Sequence, residues 1–231
     1  MPSSQPLRLA VFDCDGTLVD SQHSIVASIA AASAVIGVPA PAADRVRRIV
    51  GLSLPEGIER LFPDADADGH AEMTRRYREA FAGMRQDDSV EEPLFPGIVE
   101  TLDRLAGAGY LLGVATGKSM RGLTATLARH GLGDRFVTLQ TADHGPGKPH
   151  PAMLERAMAA CGAAPSETVM IGDTSFDVEM ALGAGAYAVG VGWGYHPADE
   201  LTAAGAHRMA EDCEALAEAV LSLLGAGPRA A

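Results

Sequence analysis

Short runs of apolar residues recur along most of the chain, and segments with a helical pattern lie between them. The first run, residues 7–12, is nearly continuous, which is typical of a strand buried on both faces of a parallel sheet. This alternation of strand and helix predicts an α/β fold built on a doubly wound parallel sheet. The other predicted strands are residues 111–115, 136–139, 168–171 and 186–191, and the helices between them are residues 98–105, 120–130, 152–161 and 177–182.

The segment after the first predicted strand interrupts this alternation. It contains no convincing strand, and an insertion of its length must pack a small core of its own. We therefore expect a helical cap at residues 19–92, joined by linkers near Val19 and at 87–95, and an α/β core formed by residues 1–18 and 93–231. The end segments, 1–6 and 225–231, are expected to be frayed. The predicted cap helices are residues 24–36, 42–50, 55–61 and 67–84.

The charge balance limits the classes of partner. The 231 residues include 18 lysines and arginines against 30 aspartates and glutamates, which gives a formal net charge of −12 at pH 7. Binding to nucleic acid relies on lysine and arginine side chains that neutralise phosphates, so no nucleic-acid partner is expected. An anionic small molecule could still bind where a few cations or a metal ion reverse the sign of the charge locally.

Cysteine usage and hydropathy bear on the cellular location. Cys14, Cys161 and Cys213 are too few and too scattered for a disulfide framework or a Cys-x-x-Cys metal site, which favours a reducing compartment. The first residues show no signal-peptide pattern. Residues 21–43 lack charged side chains, but they are rich in alanine and serine and contain two prolines, so no membrane span is expected. We expect a cytoplasmic protein that is a monomer or a homodimer.

Reactive side chains are concentrated just after the predicted strands or in the turn that leads to a helix. Ligands of open parallel sheets bind beyond the carboxyl ends of the strands, so these side chains are expected to converge at one edge of the sheet. The residues are Asp13, Asp15, Thr116, Gly117, Lys148, Asp173 and Asp177.

The chemistry of this set indicates a phosphoryl group as the ligand. The carboxylates of Asp13, Asp15 and Asp173 would repel one another and are costly to desolvate, so together they require a cation. Hard oxygen ligands with open positions favour Mg²⁺. A Mg²⁺ ion, Lys148 and backbone N–H groups would form a positive hollow suited to phosphoryl transfer, which mainly needs charge neutralisation and alignment. The sequence therefore predicts a Mg²⁺ cofactor and a small phosphorylated metabolite as substrate.

These residues fall into four motifs with a known order along the chain. They resemble the four motifs of the haloacid dehalogenase superfamily, and the helical insertion resembles the cap of that family. The matching segments extend over nearly the whole chain, and the resemblance implies a Rossmann-like core with a cap that controls substrate access. The motifs are Asp13-x-Asp15-Gly16-Thr17, Thr116, Lys148 and Gly172-Asp173-x-x-x-Asp177.

Carried over residue by residue, the resemblance implies a role for each side chain. Asp13 would be the nucleophile and would form an aspartyl-phosphate, which splits one hard step into two. Asp15 would protonate the leaving oxygen and later deprotonate the attacking water. Thr116 and Lys148 would hold the phosphoryl oxygens, with Gly117 beside them in the substrate site.

The same resemblance implies the metal ligands. The side chains of Asp13 and Asp173 would bind Mg²⁺, together with the backbone carbonyl of Asp15. Asp177 would either bind the ion or orient Lys148 or a water on the ion. A carboxylate at the N-terminus of a helix also complements the helix dipole, so a structural role for Asp177 stays open.

Several features narrow the subclass. Asp15 argues against the metal-free dehalogenases of the superfamily, and the absence of lysine from residues 18–92 argues against its phosphonatases. The segments 115–119 and 147–151 resemble those of phosphoglycolate phosphatases. The resemblance therefore implies a phosphatase, with 2-phosphoglycolate as the first expected substrate.

The cap is expected to recognise the rest of the substrate. A loop that contains Gly51 resembles the specificity loop of the family, and Arg47 and Arg48 just before it could meet the second charge of 2-phosphoglycolate. Two alternatives remain open from the sequence. One is an enzyme like β-phosphoglucomutase that transfers a phosphoryl group on a sugar phosphate, and the other is a non-catalytic binding protein with the same fold.

Overall fold

Six parallel strands form the central sheet in the part of the chain that our computed structural model describes, residues 7–225. They lie side by side in the order β3-β2-β1-β4-β5-β6, and every neighbouring pair is parallel. The predicted α/β fold with a parallel sheet is confirmed. The strands are β1 (Arg8–Phe12), β2 (Tyr110–Thr116), β3 (Thr138–Thr141), β4 (Thr168–Gly172), β5 (Tyr187–Val191) and β6 (Arg208–Ala210).

Ten α-helices accompany the sheet within residues 7–225. The first four follow β1 directly, and the others alternate with the remaining strands or end the described chain. The helices are α1 (Gln22–Ile36), α2 (Ala43–Arg47), α3 (Leu54–Leu61), α4 (Ala67–Gln86), α5 (Ile98–Gly107), α6 (Met120–Arg129), α7 (Ala152–Cys161), α8 (Ser175–Gly183), α9 (Ala198–Ala203) and α10 (Cys213–Leu224).

Strand β1 lies between helices on both faces of the sheet, and its sequence reflects this position. Leu9 and Val11 belong to an apolar cluster that includes residues of α7 and α8, whereas Ala10 and Phe12 belong to a second cluster that includes residues of α5 and α10. All four side chains are fully buried. A strand covered on both faces needs apolar residues at every position, which explains the continuous apolar run.

The position of β1 also determines where a ligand can bind. The strand order reverses beside β1, because β2 lies on one side of it and β4 on the other. Phe12 is paired with Val114 of β2 and with Ile171 of β4, so the carboxyl ends of the three strands lie close together. Such a point of reversal leaves a crevice at the carboxyl edge of the sheet.

The helices α1–α4 pack around a third apolar cluster, separate from the two that cover the sheet. The two chain segments that lead into and out of these helices lie next to each other: the backbone N–H of Asp20 donates to the carbonyl of Pro93 at 2.8 Å, and that of Phe95 donates to the carbonyl of Leu18 at 3.1 Å. We propose residues 19–92 as a cap whose two linkers are held together by these hydrogen bonds.

The sequence analysis missed three elements of the structure, namely β6, α9 and α10. Strand β6 has only three residues and lies at the edge of the sheet, with Arg208 exposed and Met209 partly buried, so it lacks a continuous apolar run. Helix α8 also begins at Ser175, two residues before its predicted start, because Thr174 caps it. The predicted frayed segments, apart from Gly225, lie outside the described residues. No helix formed by residues 7–225 is long and apolar enough to cross a membrane.

Candidate active site

The turn after β1 carries the first motif, and its residues are fixed by contacts with β4. The backbone N–H of Asp13 donates to the carbonyl of Ile171 at 2.9 Å, which continues the pairing of the two strands by one residue. Gly16 has a φ of 88°, and a Cβ at this position would lie 2.2 Å from the Asp173 carboxylate. The hydroxyl of Thr17 donates to Asp173 Oδ1 at 2.9 Å. The glycine and the threonine of the motif therefore allow Asp173 to lie against the turn that carries Asp13.

Three carboxylates meet at the carboxyl edge of the sheet. Asp13, Asp173 and Asp177 can each offer one oxygen such that all these oxygens lie within 4.8 Å of one another, and all three residues are buried. Lys148 is fully buried among them, with its Nζ 2.8 Å from Asp13 Oδ1 and 2.6 Å from Asp177 Oδ1. The structure thus brings together four of the residues singled out from the sequence.

The two carboxylate oxygens of Asp177 make different contacts. Its Oδ2 accepts hydrogen bonds from the backbone N–H of Thr174 at 3.1 Å and from the Thr174 hydroxyl at 2.7 Å, which completes a capping box at the start of α8. Its other oxygen, Oδ1, lies beside Lys148. The carboxylate therefore serves both as a helix cap and as part of the acidic cluster.

The loop after β5 supports Asp173 from the other side. The backbone N–H of Tyr195 donates to Asp173 Oδ2 at 2.9 Å. A Cβ on Gly194 would lie 2.0 Å from the Cβ of Asp173, so only glycine permits this close approach. With Thr17 on Oδ1, both oxygens of Asp173 have a protein donor, which holds the carboxylate in one orientation.

The charges of this cluster are not balanced by protein groups. Burial raises the pKa of Asp13 to about 7, with Asp177 and Asp15 adding to the effect and Lys148 opposing it. Burial also raises the pKa of Asp173 well above its usual range, and Asp177 and Asp13 raise it further. Burial alone would lower the pKa of Lys148, but the facing carboxylates raise it, so the ammonium stays charged. The cluster is therefore short of positive charge.

This deficit fits a metal ion. Asp13 Oδ2 is buried and has no hydrogen-bond partner among residues 7–225. The donor set consists of carboxylate oxygens, which are the ligands that hard divalent cations prefer. The residues present therefore fit a divalent cation.

Asp15 lies outside this cluster and belongs to a different set of contacts. Its Oδ1 accepts hydrogen bonds from the Ser21 hydroxyl at 2.6 Å and from Lys118 Nζ at 2.7 Å. The two aspartates of the first motif are thus separated: Asp13 contacts Lys148, and Asp15 contacts Lys118. The chain has only these two lysines, and both lie at this site, Lys148 fully buried and Lys118 with its side chain 10% exposed.

Glu92 extends the network around Asp15, and the sequence analysis did not identify it. Its side chain is fully buried and contacts Lys118 Nζ at 3.1 Å and an Nη of Arg85 at 2.9 Å. The hydroxyl of Thr126 also donates to it. Lys118 could have been found from its place two residues after Thr116, but nothing in the sequence around Glu92 marks it as a partner of that lysine.

Thr116 and Gly117 lie where β2 ends, beside the acidic cluster and beneath the cap. Thr116 is buried, and its hydroxyl accepts a hydrogen bond from the backbone N–H of Lys118 at 3.3 Å. A Cβ on Gly117 would lie 2.1 Å from the backbone carbonyl oxygen of Leu52, which belongs to the loop between α2 and α3. Gly51 of that loop has a φ of 101° and packs against Thr174. The cap loop therefore touches the core at the mouth of the site.

The comparison with protein families agrees with this geometry. A family model described as haloacid dehalogenase-like hydrolase matches residues 10–191, which is more than half of the chain. The chain belongs to the haloacid dehalogenase-like hydrolases. The resemblance found from the four motifs is thereby confirmed, and the protein is an enzyme of this family.

Several relatives of this hydrolase are named as phosphatases. It is 37% identical to "Probable phosphatase IndB" of Dickeya dadantii over 85% of the chain and 86% of that protein. It is 29% identical to the phosphoglycolate phosphatase of Vibrio parahaemolyticus over 94% of the chain and 98% of that protein. The crystal structure of a predicted phosphatase from Clostridium acetobutylicum covers 94% of the chain and is itself covered in full, with a TM-score of 0.84 and 25% identity.

Arg47 and Arg48, which are expected to bind substrate, contact other side chains of this hydrolase. The Nε of Arg47 donates to the side-chain oxygen of Gln22 at 2.8 Å. The guanidinium of Arg48 forms two hydrogen bonds, 2.8 and 2.7 Å long, with the carboxylate of Glu200 in α9, and this pairing raises the pKa of Arg48. As formed by the described residues, the wall of the cavity between cap and core includes neither arginine. Because Arg47 Nε and the Arg48 guanidinium already have partners and neither residue lines the cavity that the described residues form, we leave Arg47 and Arg48 out of the substrate site proposed below.

Adding one methyl group at the contact between cap and core tests whether this contact is needed for catalysis. In Gly117→Ala the new methyl group would overlap the Leu52 carbonyl, so the cap loop must move away from the site. Displacements of about 1 Å can cost on the order of 10²-fold in rate, and we expect a loss of that order in kcat/KM for a phosphomonoester. Steady-state kinetics on the purified variant measure this loss.

The matched control is Gly107→Ala. Gly107 ends helix α5, and a Cβ there would meet nothing within 4 Å. This variant should keep the kinetic constants of the original protein. Full activity in Gly117→Ala would contradict the view that the loop must reach the core.

Proposed function

We propose that this protein is a Mg²⁺-dependent phosphatase that hydrolyses a phosphomonoester through an aspartyl-phosphate on Asp13. The observation that carries the proposal is the buried, unpartnered Oδ2 of Asp13 within residues 7–225, next to Lys148 and Asp173. A second carboxylate, Asp15, is held apart from this cluster on its own donors. One carboxylate is thus available for attack and another for proton transfer.

The side chains of Asp13, Asp173 and Asp177, with the backbone carbonyl of Asp15, are the proposed ligands of Mg²⁺. When bound, the ion neutralises charge on the phosphoryl oxygens and aligns the group for attack. Thr17 and the backbone of Tyr195 hold Asp173 ready for this role.

In the first step, a carboxylate oxygen of Asp13 forms a bond to phosphorus while the bond between phosphorus and the ester oxygen breaks. Asp15 donates its proton to the leaving alcohol oxygen. Lys148, the hydroxyl of Thr116 and the backbone N–H of Gly117 bind the phosphoryl oxygens as charge builds on them.

In the second step, Asp15 takes a proton from a water molecule whose oxygen attacks the phosphorus of the aspartyl-phosphate. The bond between phosphorus and Asp13 breaks, which releases inorganic phosphate and restores the carboxylate. Ser21 and Lys118 both bind Oδ1 of Asp15 and so fix its carboxyl group, and its Oδ2 has no hydrogen bond within residues 7–225. This arrangement supports a division of roles in which Oδ1 orients the carboxyl group and Oδ2 transfers the proton.

The substrate named for several relatives supplies the first candidate. Phosphoglycolate appears in the name of the phosphoglycolate phosphatase from Vibrio parahaemolyticus, and the motif segments 115–119 and 147–151 also resemble that subfamily. We infer a cytoplasmic location, supported by three free cysteines, of which Cys14 and Cys213 are buried. The monomeric or homodimeric state stays a prediction.

Release of inorganic phosphate from a panel of phosphomonoesters, with Mg²⁺ or with EDTA, tests the proposed reaction. We expect release with Mg²⁺ and none above background with EDTA, with activity restored when excess Mg²⁺ is added back. Activity that persists in EDTA would overturn the metal dependence. No release from any ester, by a folded protein with Mg²⁺ present, would overturn the proposal of hydrolysis.

A further inference from the structure

A large cavity lies between the cap and the core of the protein. Its volume is about 740 Å³, and it reaches the proposed phosphoryl site at Asp15, Thr116 and Gly117. Cavities of roughly 300–1,000 Å³ enclose ligands of drug size. 2-Phosphoglycolate consists only of a phosphate, a methylene and a carboxylate, so it would leave most of this space unfilled.

The middle of the cavity is apolar and partly aromatic. Ile29 and Ile58 of the cap line it, as do Tyr77 and Phe81 on successive turns of α4. The rings of Tyr77 and Phe81 are 5.9 Å apart and tilted by 35°. The Lys118 ammonium lies 5.6 Å from the centre of the Phe81 ring, which places this ring near the donors of Asp15. Such a surface favours a flat, weakly polar group over a second carboxylate.

The outer end of the cavity carries two arginines, and the carboxylate of Asp143, which accepts a hydrogen bond from the backbone N–H of Met120 at 2.7 Å, also lines the cavity. Arg78 and Arg121 line the cavity and also line a shallow pocket of about 300 Å³ on the surface, so they lie where the cavity opens to solvent. Within residues 7–225, neither guanidinium has an ion pair or a side-chain hydrogen bond. In a protein of net charge −12, two such arginines at one opening provide donors for oxygen acceptors on a ligand.

We propose that this cavity binds a phosphomonoester whose leaving group carries a planar ring, stacked against Tyr77 and Phe81, with carbonyl oxygens of the ring facing Arg78 and Arg121. The inference rests on the proposed phosphatase reaction and specifies its substrate class. On this view, ring-bearing esters such as nucleoside 5′-monophosphates are better substrates than 2-phosphoglycolate.

A matched pair of substrates distinguishes the effect of the ring on kcat/KM from the effect of the leaving oxygen. Uridine 5′-monophosphate and ribose 5-phosphate are both esters of a primary alcohol on the same sugar, so their leaving oxygens are alike and the main difference is the ring. We expect kcat/KM for the nucleotide to exceed that for ribose 5-phosphate and for 2-phosphoglycolate by roughly tenfold or more, the ratio that a well-placed aromatic contact supplies. Equal or reversed preference would overturn the substrate class and leave the phosphatase reaction intact. A complete lack of phosphate release would instead overturn the reaction.

Variants locate the contact within the cavity. Phe81→Ala and Arg78→Gln should each lower the ratio of kcat/KM between the nucleotide and ribose 5-phosphate, by roughly tenfold for Phe81→Ala. The exposed position of Arg78 makes Arg78→Gln informative even if Phe81→Ala fails to fold. The control is Arg75→Gln, because Arg75 lies on the same helix and pairs with Glu72 and Glu79, and as the described residues form the two pockets it lines the shallow surface pocket but not this cavity. An unchanged ratio in folded Phe81→Ala and Arg78→Gln would overturn the proposal.

Discussion

Replacing Asp13 by asparagine is expected to abolish phosphate release without unfolding the protein. A neutral amide is a poor nucleophile and a weaker ligand for Mg²⁺, so no aspartyl-phosphate can form. We expect kcat to fall on the order of 10⁴-fold or more, as it does when other covalent nucleophiles are removed. Initial rates of phosphate release at saturating substrate measure the loss, and circular dichroism checks the fold.

The matched control for this variant is Asp134→Asn. Asp134 is an exposed aspartate of the core that belongs to none of the four motifs, and its replacement removes the same charge from the surface. The control should keep full activity. Residual turnover of more than a few per cent in folded Asp13→Asn would contradict the assignment of the nucleophile.

Asp13→Asn is also expected to change the stability of the protein in a way that depends on pH. Burial raises the pKa of Asp13 from 3.8 to about 7, so in the metal-free protein its ionisation opposes folding. The unfolded chain loses this proton near pH 4 and the folded protein only near pH 7. The destabilisation caused by ionised Asp13 therefore grows as the pH rises from about 4 to about 7 and is constant above pH 7. In EDTA, the thermal midpoint of Asp13→Asn should rise relative to that of the original protein as the pH is raised from 5 to 8.

Burial of the parallel strands explains which elements of the fold could be predicted from the sequence. Strands β1, β2, β4 and β5 are covered on both faces, and this burial leaves continuous apolar runs. Strand β6 lies at the edge and is too short to leave such a run. Helix α10 did leave a signal, because Asp212 caps its N-terminus and Leu216 and Val220 lie one turn apart on its buried face.

The site shows where sequence reasoning reaches its limit. Asp13, Lys148 and Asp173 converge because parallel strands end at one edge of the sheet, which a motif after each strand is enough to predict. The partners of side chains that cross between cap and core depend on how the two parts pack. The contact of Lys118 with Glu92 and the pairing of Arg48 with Glu200 are of this kind, and no spacing in the sequence encodes them.

Replacing Lys118 by methionine is expected to lower kcat strongly while KM changes little. Methionine keeps the length and the apolar stem of the side chain but removes the ammonium that binds Asp15 Oδ1. Glu92 keeps Arg85 and Thr126 as donors, so the buried carboxylate is not left without partners. Because general acid and base catalysis contributes about 10²–10⁴-fold, a misplaced Asp15 should cost on the order of 10²-fold in kcat. Lys118→Arg, which restores a cation, should recover part of the rate.

The nature of the leaving group shows whether Lys118 acts through Asp15. A leaving oxygen of low basicity, as in 4-nitrophenyl phosphate, needs little help from an acid, whereas an alkyl ester needs a proton. Lys118→Met should therefore lose more activity on an alkyl phosphate than on 4-nitrophenyl phosphate. The control is Arg129→Met, which removes a cation of helix α6 whose exposed ion pair with Asp88 contributes little to stability. Equal losses on both esters would mean that the lysine supports the phosphoryl site or the fold instead of orienting the acid.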